Sequence, residues 1–260
     1  MTSPVLVRVD KRGAAGHVAT VSIHNAARVN SLSTEIIRAF IDTVTALGGD
    51  PDLRALIVTG EGEKAFMGGA NLFELADLDP AKARVFLTDI HHMSKVLRDL
   101  PVPVIARVNG WCLGAGLEVM AACDMRAAAD TARFGMPEVL FGLPSGMEAC
   151  LLPQLIGWGK TRELVFTGRH IDCAEAAACG LVERVAPPEG LDQAVEDWVA
   201  DILRAGPNSI RAQKELIRDW ERMSIADAVQ QGIRAVAAAH GTEETKRLMG
   251  AFLERKRAPG

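Results

Sequence analysis

The chain has 260 residues, 48% of them hydrophobic and 24% charged, which is enough apolar material for a sizeable core, in one large domain or one domain plus an appendage, and is close to an ordinary soluble composition. A net charge of −4 speaks against a nucleic-acid partner, and no apolar run reaches membrane-spanning length. Five cysteines, odd in number and without a Cys-x-x-Cys pair, argue against a zinc site or a disulfide framework, and nothing in the sequence supports another metal; thiols in a reducing, cytoplasmic compartment are expected, with no signal peptide.

Residues 4–9 and 17–23 are rich in Val and Ile, and Lys11 to Gly16 separates them, which predicts a β-hairpin. A polar loop from Asn25 to Ser33 leads into Ile36, Ile37, Phe40, Ile41, Val44 and Leu47, a helical recurrence stopped by Gly48 and Gly49. Ala55 to Thr59 reads as a short buried strand, and Gly60 to Asn71 as a glycine-rich loop after it. A helical region begins at 72–78. A longer helix is expected from about Ala81 to Leu100, ended by Pro101 and Pro103.

The apolar run Val102 to Val108 then feeds a second glycine-rich turn containing Gly110, Gly114 and Gly116. That turn opens into an apolar helix with Glu118 in its first turn. Glycines there let backbone come close to a ligand, and a helix start offers N–H groups to an oxygen gaining negative charge. Met125 to Ala129 predicts a strand, and Phe134 to Gly142 a loop with a short extended piece. Ser145-Gly-Met-Glu148 matches a capping box at the head of a helix reaching about Ile156. From Gly159 onward the pattern is helical, over 160–167, 173–179, 191–204, 208–220, 224–239 and 242–256. The order of elements predicts stacked α/β strand–helix units over residues 1–190, both glycine loops opening toward one end, and an all-helical region over 191–260.

Several of these segments resemble, in joint order and spacing, those of the crotonase superfamily, the enoyl-CoA hydratase/isomerase family. They are Lys64-Ala-Phe-Met-Gly-Gly-Ala-Asn71, Pro103-Val-Ile-Ala-Arg-Val-Asn-Gly-Trp-Cys-Leu-Gly-Ala-Gly-Leu-Glu118, Cys123-Asp124, Ala132-Arg-Phe-Gly-Met-Pro-Glu138 and Glu175-Ala176-x-x-x-Gly180-Leu-Val182. The resemblance covers nearly the whole chain. It implies a crotonase-like α/β fold of repeated ββα units, with the C-terminal helices assembling homotrimers or hexamers built from two trimers. It implies an acyl-CoA thioester as substrate, with no cofactor beyond the coenzyme A that the substrate carries.

Residue by residue, the resemblance implies an oxyanion hole made by the backbone N–H groups of Ala70 and Ala115. Gly68, Gly69 and Gly114 would lie against the thioester, and Glu118 and Glu138 would be the catalytic pair. Adding water across a conjugated double bond needs one group to activate the water and one to protonate Cα, which makes hydration of a 2-enoyl-CoA to a 3-hydroxyacyl-CoA the leading expectation. Double-bond isomerisation, thioester hydrolysis, decarboxylation and a non-catalytic CoA-binding role remain open.

Departures from the family pattern gather after Glu138. Later glycines of a Pro-Gly-x-Gly-Gly pattern are replaced here by Glu148 and Ala149. Glu148 is either a third acid in the pocket or, more simply, half of the capping box. Asn71 replaces an Asp of many relatives, and Phe73 a phosphate-binding Lys of some. Arg28 is a candidate CoA contact, and Lys64, Arg255 and Lys256 are weaker ones. Trp111 either packs under the second loop or lines the acyl pocket. His91 and His92 invite a nucleophile or base reading, but they are adjacent on one helix, so only one of them can face inward. Cys112, Cys123 and Cys150 are expected as small buried hydrophobes.

Overall fold

The computed structural model describes residues 3–257. Strands β1 (Val5–Lys11) and β2 (His17–Ile23) form the expected antiparallel hairpin, with Val5 opposite Ile23. Ser33 starts α1 (Thr34–Gly48) by accepting a hydrogen bond from the N–H of Ile36. This helix buries Ile36, Ile37, Phe40 and Val44, the face its periodicity predicts.

One pattern then repeats three times: a long strand, a very short strand, then helix. The first unit is β3 (Leu53–Gly60), β4 (Ala65–Met67), α2 (Leu72–Ala76) and α3 (Pro80–Asp99). The second is β5 (Val104–Val108), β6 (Trp111–Leu113) and α4 (Ala115–Ala121). The third is β7 (Met125–Ala129), β8 (Arg133–Gly135), two 3-10 turns at Glu138–Phe141 and Met147–Leu151, and α5 (Leu152–Thr167). Gly157, at φ +73, breaks α5 into two parts, so the helix expected to run from 145 becomes a turn followed by a kinked helix. After these come β9 (His170–Asp172), α6 (Cys173–Ala178), β10 (Arg184–Ala186) and α7 (Leu191–Arg204).

The long strands form a six-stranded sheet in the order β1-β2-β3-β5-β7-β10, and the short ones a second sheet, β4-β6-β8-β9. All eight residues of β3 are buried, as befits a parallel strand covered on both faces. Two buried asparagines tie the corner between the sheets. Asn30 donates to the carbonyls of Glu61 and Ala65, and Asn109 to those of Gly60, Gly62 and Ala65. These amides hold the 60–65 loop by its main-chain carbonyls.

The chain divides into two compact units between Val199 and Ala200. Leu191, Val195 and Val199 of α7 are buried in the first. The division falls inside α7, which begins at Leu191. In the second unit α8 (Pro207–Trp220), α9 (Ile225–His240) and α10 (Glu243–Arg257) follow one another. Gly206 brings no capping side chain to α8. Glu244 of α10 takes that role, accepting from the N–H groups of Asn208 and Ser209 and from Ser209 Oγ, at 3.0–3.1 Å. No described helix is long and apolar enough to cross a membrane.

Candidate active site

The small sheet places the site. Strands β4, β6 and β8 are parallel neighbours, with Ala65 beside Trp111, Trp111 beside Arg133 and Leu113 beside Gly135. Parallel strands about 4.8 Å apart deliver their C-terminal ends side by side. Gly68–Ala70, Gly114–Ala115 and Met136–Glu138 therefore leave the sheet at the same edge, although 68 residues separate Ala70 from Glu138 in sequence. The contacts are too close for ordinary residues. A Cβ on Gly116 would stand 2.2 Å from Met67 O, and one on Gly114, at φ +52, would stand 2.6 Å from Glu138 Oε1.

Behind these ends lies a cavity of about 480 Å³. Gly68, Gly69, Ala70, Gly114, Ala115, Glu118 and Glu138 line its polar end, while Leu72, Leu75, Leu78, Leu87, Ile90 and Met147 supply apolar wall. Among the described residues, the N–H groups of Ala70 and Ala115 take no hydrogen-bond partner. The neighbouring carbonyls are used: Leu32 N–H donates to Gly69 O at 2.8 Å, and Leu117 and Glu118 N–H donate to Gly114 O at 2.8 and 3.0 Å. Two donors thus stay available beside the cavity, on loops held by main-chain hydrogen bonds at Gly68, Gly69 and Gly114.

Glu118 lies in the first turn of α4 and is 1% exposed. Its Oε1 accepts from the Ala149 N–H at 3.0 Å, and its Oε2 is buried with no partner among the described residues. Burial lifts its pKa from 4.5 to about 8; the Ala149 bond opposes the rise, and the charges of Glu138 and Glu148 add to it. At neutral pH Glu118 holds its proton. Glu138 opens the 138–141 turn, is half-buried, and accepts from Ser145 Oγ at 2.8 Å through Oε2.

Several expectations need correcting. Ser145 and Glu148 form no capping box: Ser145 Oγ donates to Glu138, and the 147–151 turn has no side-chain cap. Glu148 is buried instead, its Oε1 2.7 Å from His91 Nδ1. Both histidines are exposed, and His91 brings its Nδ1 to that carboxylate. Trp111 is not in the cavity wall; its ring meets His170 edge-on at 5.2 Å, because it points along the small sheet toward β9. Arg28 sits on the loop that packs against Gly68, where Gly68 N–H donates to Val29 O at 2.8 Å, but its side chain is exposed and outside the cavity. Cys112 and Cys123 are buried as expected, and Cys150 is exposed. Asn71 caps α2 by accepting from Phe73 N–H at 3.0 Å, and the Phe73 side chain is exposed.

Sequence reasoning missed the Ser145 bond to Glu138, the Ala149 bond to Glu118 and the His91–Glu148 pair. Only the departure from the family pattern at 145–150 drew attention to that segment.

Stacked ββα units with three site segments on neighbouring short strands define a crotonase-fold α/β protein with a paired-carboxylate pocket. A family model described as enoyl-CoA hydratase/isomerase matches residues 13–259. The chain is 32% identical over 246 residues to the short-chain-enoyl-CoA hydratase of Clostridium acetobutylicum, covering 94% of each. It is 34% identical over 242 residues to the crotonyl-CoA hydratase of Syntrophomonas wolfei, covering 93% of each. The solved enoyl-CoA hydratase of Bacillus anthracis matches with a TM-score of 0.90 and 33% identity over 98% of both chains. The chain belongs to the enoyl-CoA hydratase/isomerase family.

Proposed function

We propose that this protein hydrates a 2-enoyl-CoA to a 3-hydroxyacyl-CoA. The observation that carries the reading is the meeting of Glu118, Glu138 and two unspent N–H donors at one end of an apolar cavity. The thioester oxygen would lie between the N–H groups of Ala70 and Ala115, where enolate charge develops as water adds at Cβ. Water addition needs one carboxylate to draw a proton from water and one carboxylic acid to give a proton to Cα. Burial supplies that asymmetry, since it leaves a proton on Glu118 at neutral pH. After turnover the proton passes between the two groups, so no cofactor is required beyond the CoA of the substrate.

The test is loss of enoyl-thioester absorbance with crotonyl-CoA and longer or branched enoyl-CoAs. Glu118→Gln and Glu138→Gln should each lower kcat by about 10²–10⁴. A broad panel without hydration, or turnover that survives both substitutions, overturns the reading.

Assembly and compartment belong to the same proposal. Ile225, Val229, Ile233 and Val236 form an exposed apolar stripe on α9, which supports self-association through the C-terminal helices into trimers or pairs of trimers. Sedimentation measures it directly, and a monomer at micromolar concentration would exclude it. Five cysteine thiols suit a cytoplasmic setting.

A further inference from the structure

Glu148 takes no part in the hydration chemistry above, yet it is 4% exposed. Its Oε1 meets Nδ1 of His91 at 2.7 Å across 57 residues of sequence, and its Oε2 is buried with no partner among the described residues. Keeping a half-satisfied carboxylate out of water is costly, and such groups mark sites of function. A carboxylate only accepts, so the ring presents Nδ1–H to it. His91 reaches in from α3 with nearly half of its own side chain exposed. The next residue along, Ala149, gives its N–H to Glu118 Oε1 at 3.0 Å. One five-residue turn is thus tied to α3 through Glu148 and to the acid on α4 through Ala149.

We propose that Glu148 and His91 form a positioning pair for Glu118: their hydrogen bond pins the turn that donates to Glu118 Oε1, and the carboxylate sets a fixed negative charge behind that acid. The proposal rests on reading Glu118 as half of the acid–base pair. Two charges act on Glu118 besides its burial, Glu138 from the 138–141 turn and Glu148 from the 147–151 turn, and both favour its protonated form. His91 of α3 faces Glu148, and Glu118 and Arg98 act together with Glu148 on the adjoining Cys150 thiol. The Glu148 carboxylate thereby helps to keep a proton on a neighbour that needs one at neutral pH.

The experiment follows the carbonyl stretch of the protonated Glu118 carboxyl by infrared difference spectroscopy across the neutral and alkaline range. Glu118→Gln is the reference that lacks the band, and no substrate is needed. In the unaltered protein the band should disappear with a midpoint at about 8. Glu148→Gln keeps the shape and the bond to His91 but removes the charge, so the midpoint should fall. His91→Phe removes the donor that holds Glu148 and the turn carrying Ala149, so the midpoint should move from the unaltered value as well. In turnover, the alkaline limb of kcat/KM should move to lower pH with the band.

A role in packing alone would leave the Glu148→Gln midpoint where the unaltered protein has it, and that result overturns the proposal. If the band moves but no enoyl-CoA is hydrated, the pair stands and the hydratase reading falls. If hydration is found and the band stays, the hydratase reading stands and the pair falls.

Discussion

Glu118→Gln separates the stability cost of the site from its chemistry. The carboxyl is 1% exposed, and burial raises its pKa from 4.5 to about 8. The unfolded chain ionises near the lower value, whereas the folded chain holds its proton to the higher one. Between the two, the folded state binds one more proton than the unfolded state, so stability falls as pH rises through this window. At about 1.4 kcal/mol per pH unit, the span from 4.5 to about 8 amounts to a destabilisation of about 5 kcal/mol, complete above the window and absent below it. Glutamine copies the protonated acid, keeps an acceptor for the Ala149 N–H and does not ionise. The variant should therefore nearly match the unaltered protein at about pH 5 and exceed it by up to about 5 kcal/mol at about pH 9. Urea unfolding at fixed protein concentration measures the difference. Equal differences at the two pH values would refute the reasoning, because they would mean that the carboxyl is not desolvated by folding.

Ser145→Ala removes the donor to Glu138 Oε2. A hydrogen bond to a charged group contributes about 1.5 kcal/mol, so kcat with crotonyl-CoA should fall about tenfold with KM little changed. Steady-state kinetics with an unaltered kcat would remove Ser145 from the site. Gly116→Ala drives a Cβ to 2.2 Å from Met67 O and 2.6 Å from Met67 Cβ, in a helix where all seven residues are buried. The unfolding free energy should drop by about 3 kcal/mol, whereas Gly250→Ala, in open space on α10, should be neutral or stabilising. Similar melting shifts for both would show that the close approach of α4 to β4 is not tight.

Much of this was legible in the residues. Ile36, Ile37, Phe40 and Val44 announce their helix and its buried face, and Ser33 its start. The two glycine loops and the 20-residue spacing from Glu118 to Glu138 point to the pocket once the family resemblance is recognised. The strands β6, β8, β9 and β10 were not legible, because three residues cannot show an alternating pattern and each exists only through neighbours far along the chain. The same holds for Ser145-Gly-Met-Glu148. Its spacing satisfies a local capping rule, but tertiary partners at Glu138 and His91 claim both side chains. A capping box is decided within one turn; a buried carboxylate is decided by whatever folds over it.

The short parallel strands β4, β6 and β8 act as a ruler on which the working parts hang. Main-chain hydrogen bonds mark the divisions, so strand spacing sets the gap between the Ala70 donor, the Ala115 donor and Glu138 as long as Gly114 and Gly116 stay without side chains. A lineage can rewrite one loop, as at 145–150 here, and leave the other two at their marks. New substrates can then be tried without losing the measure on which the chemistry depends.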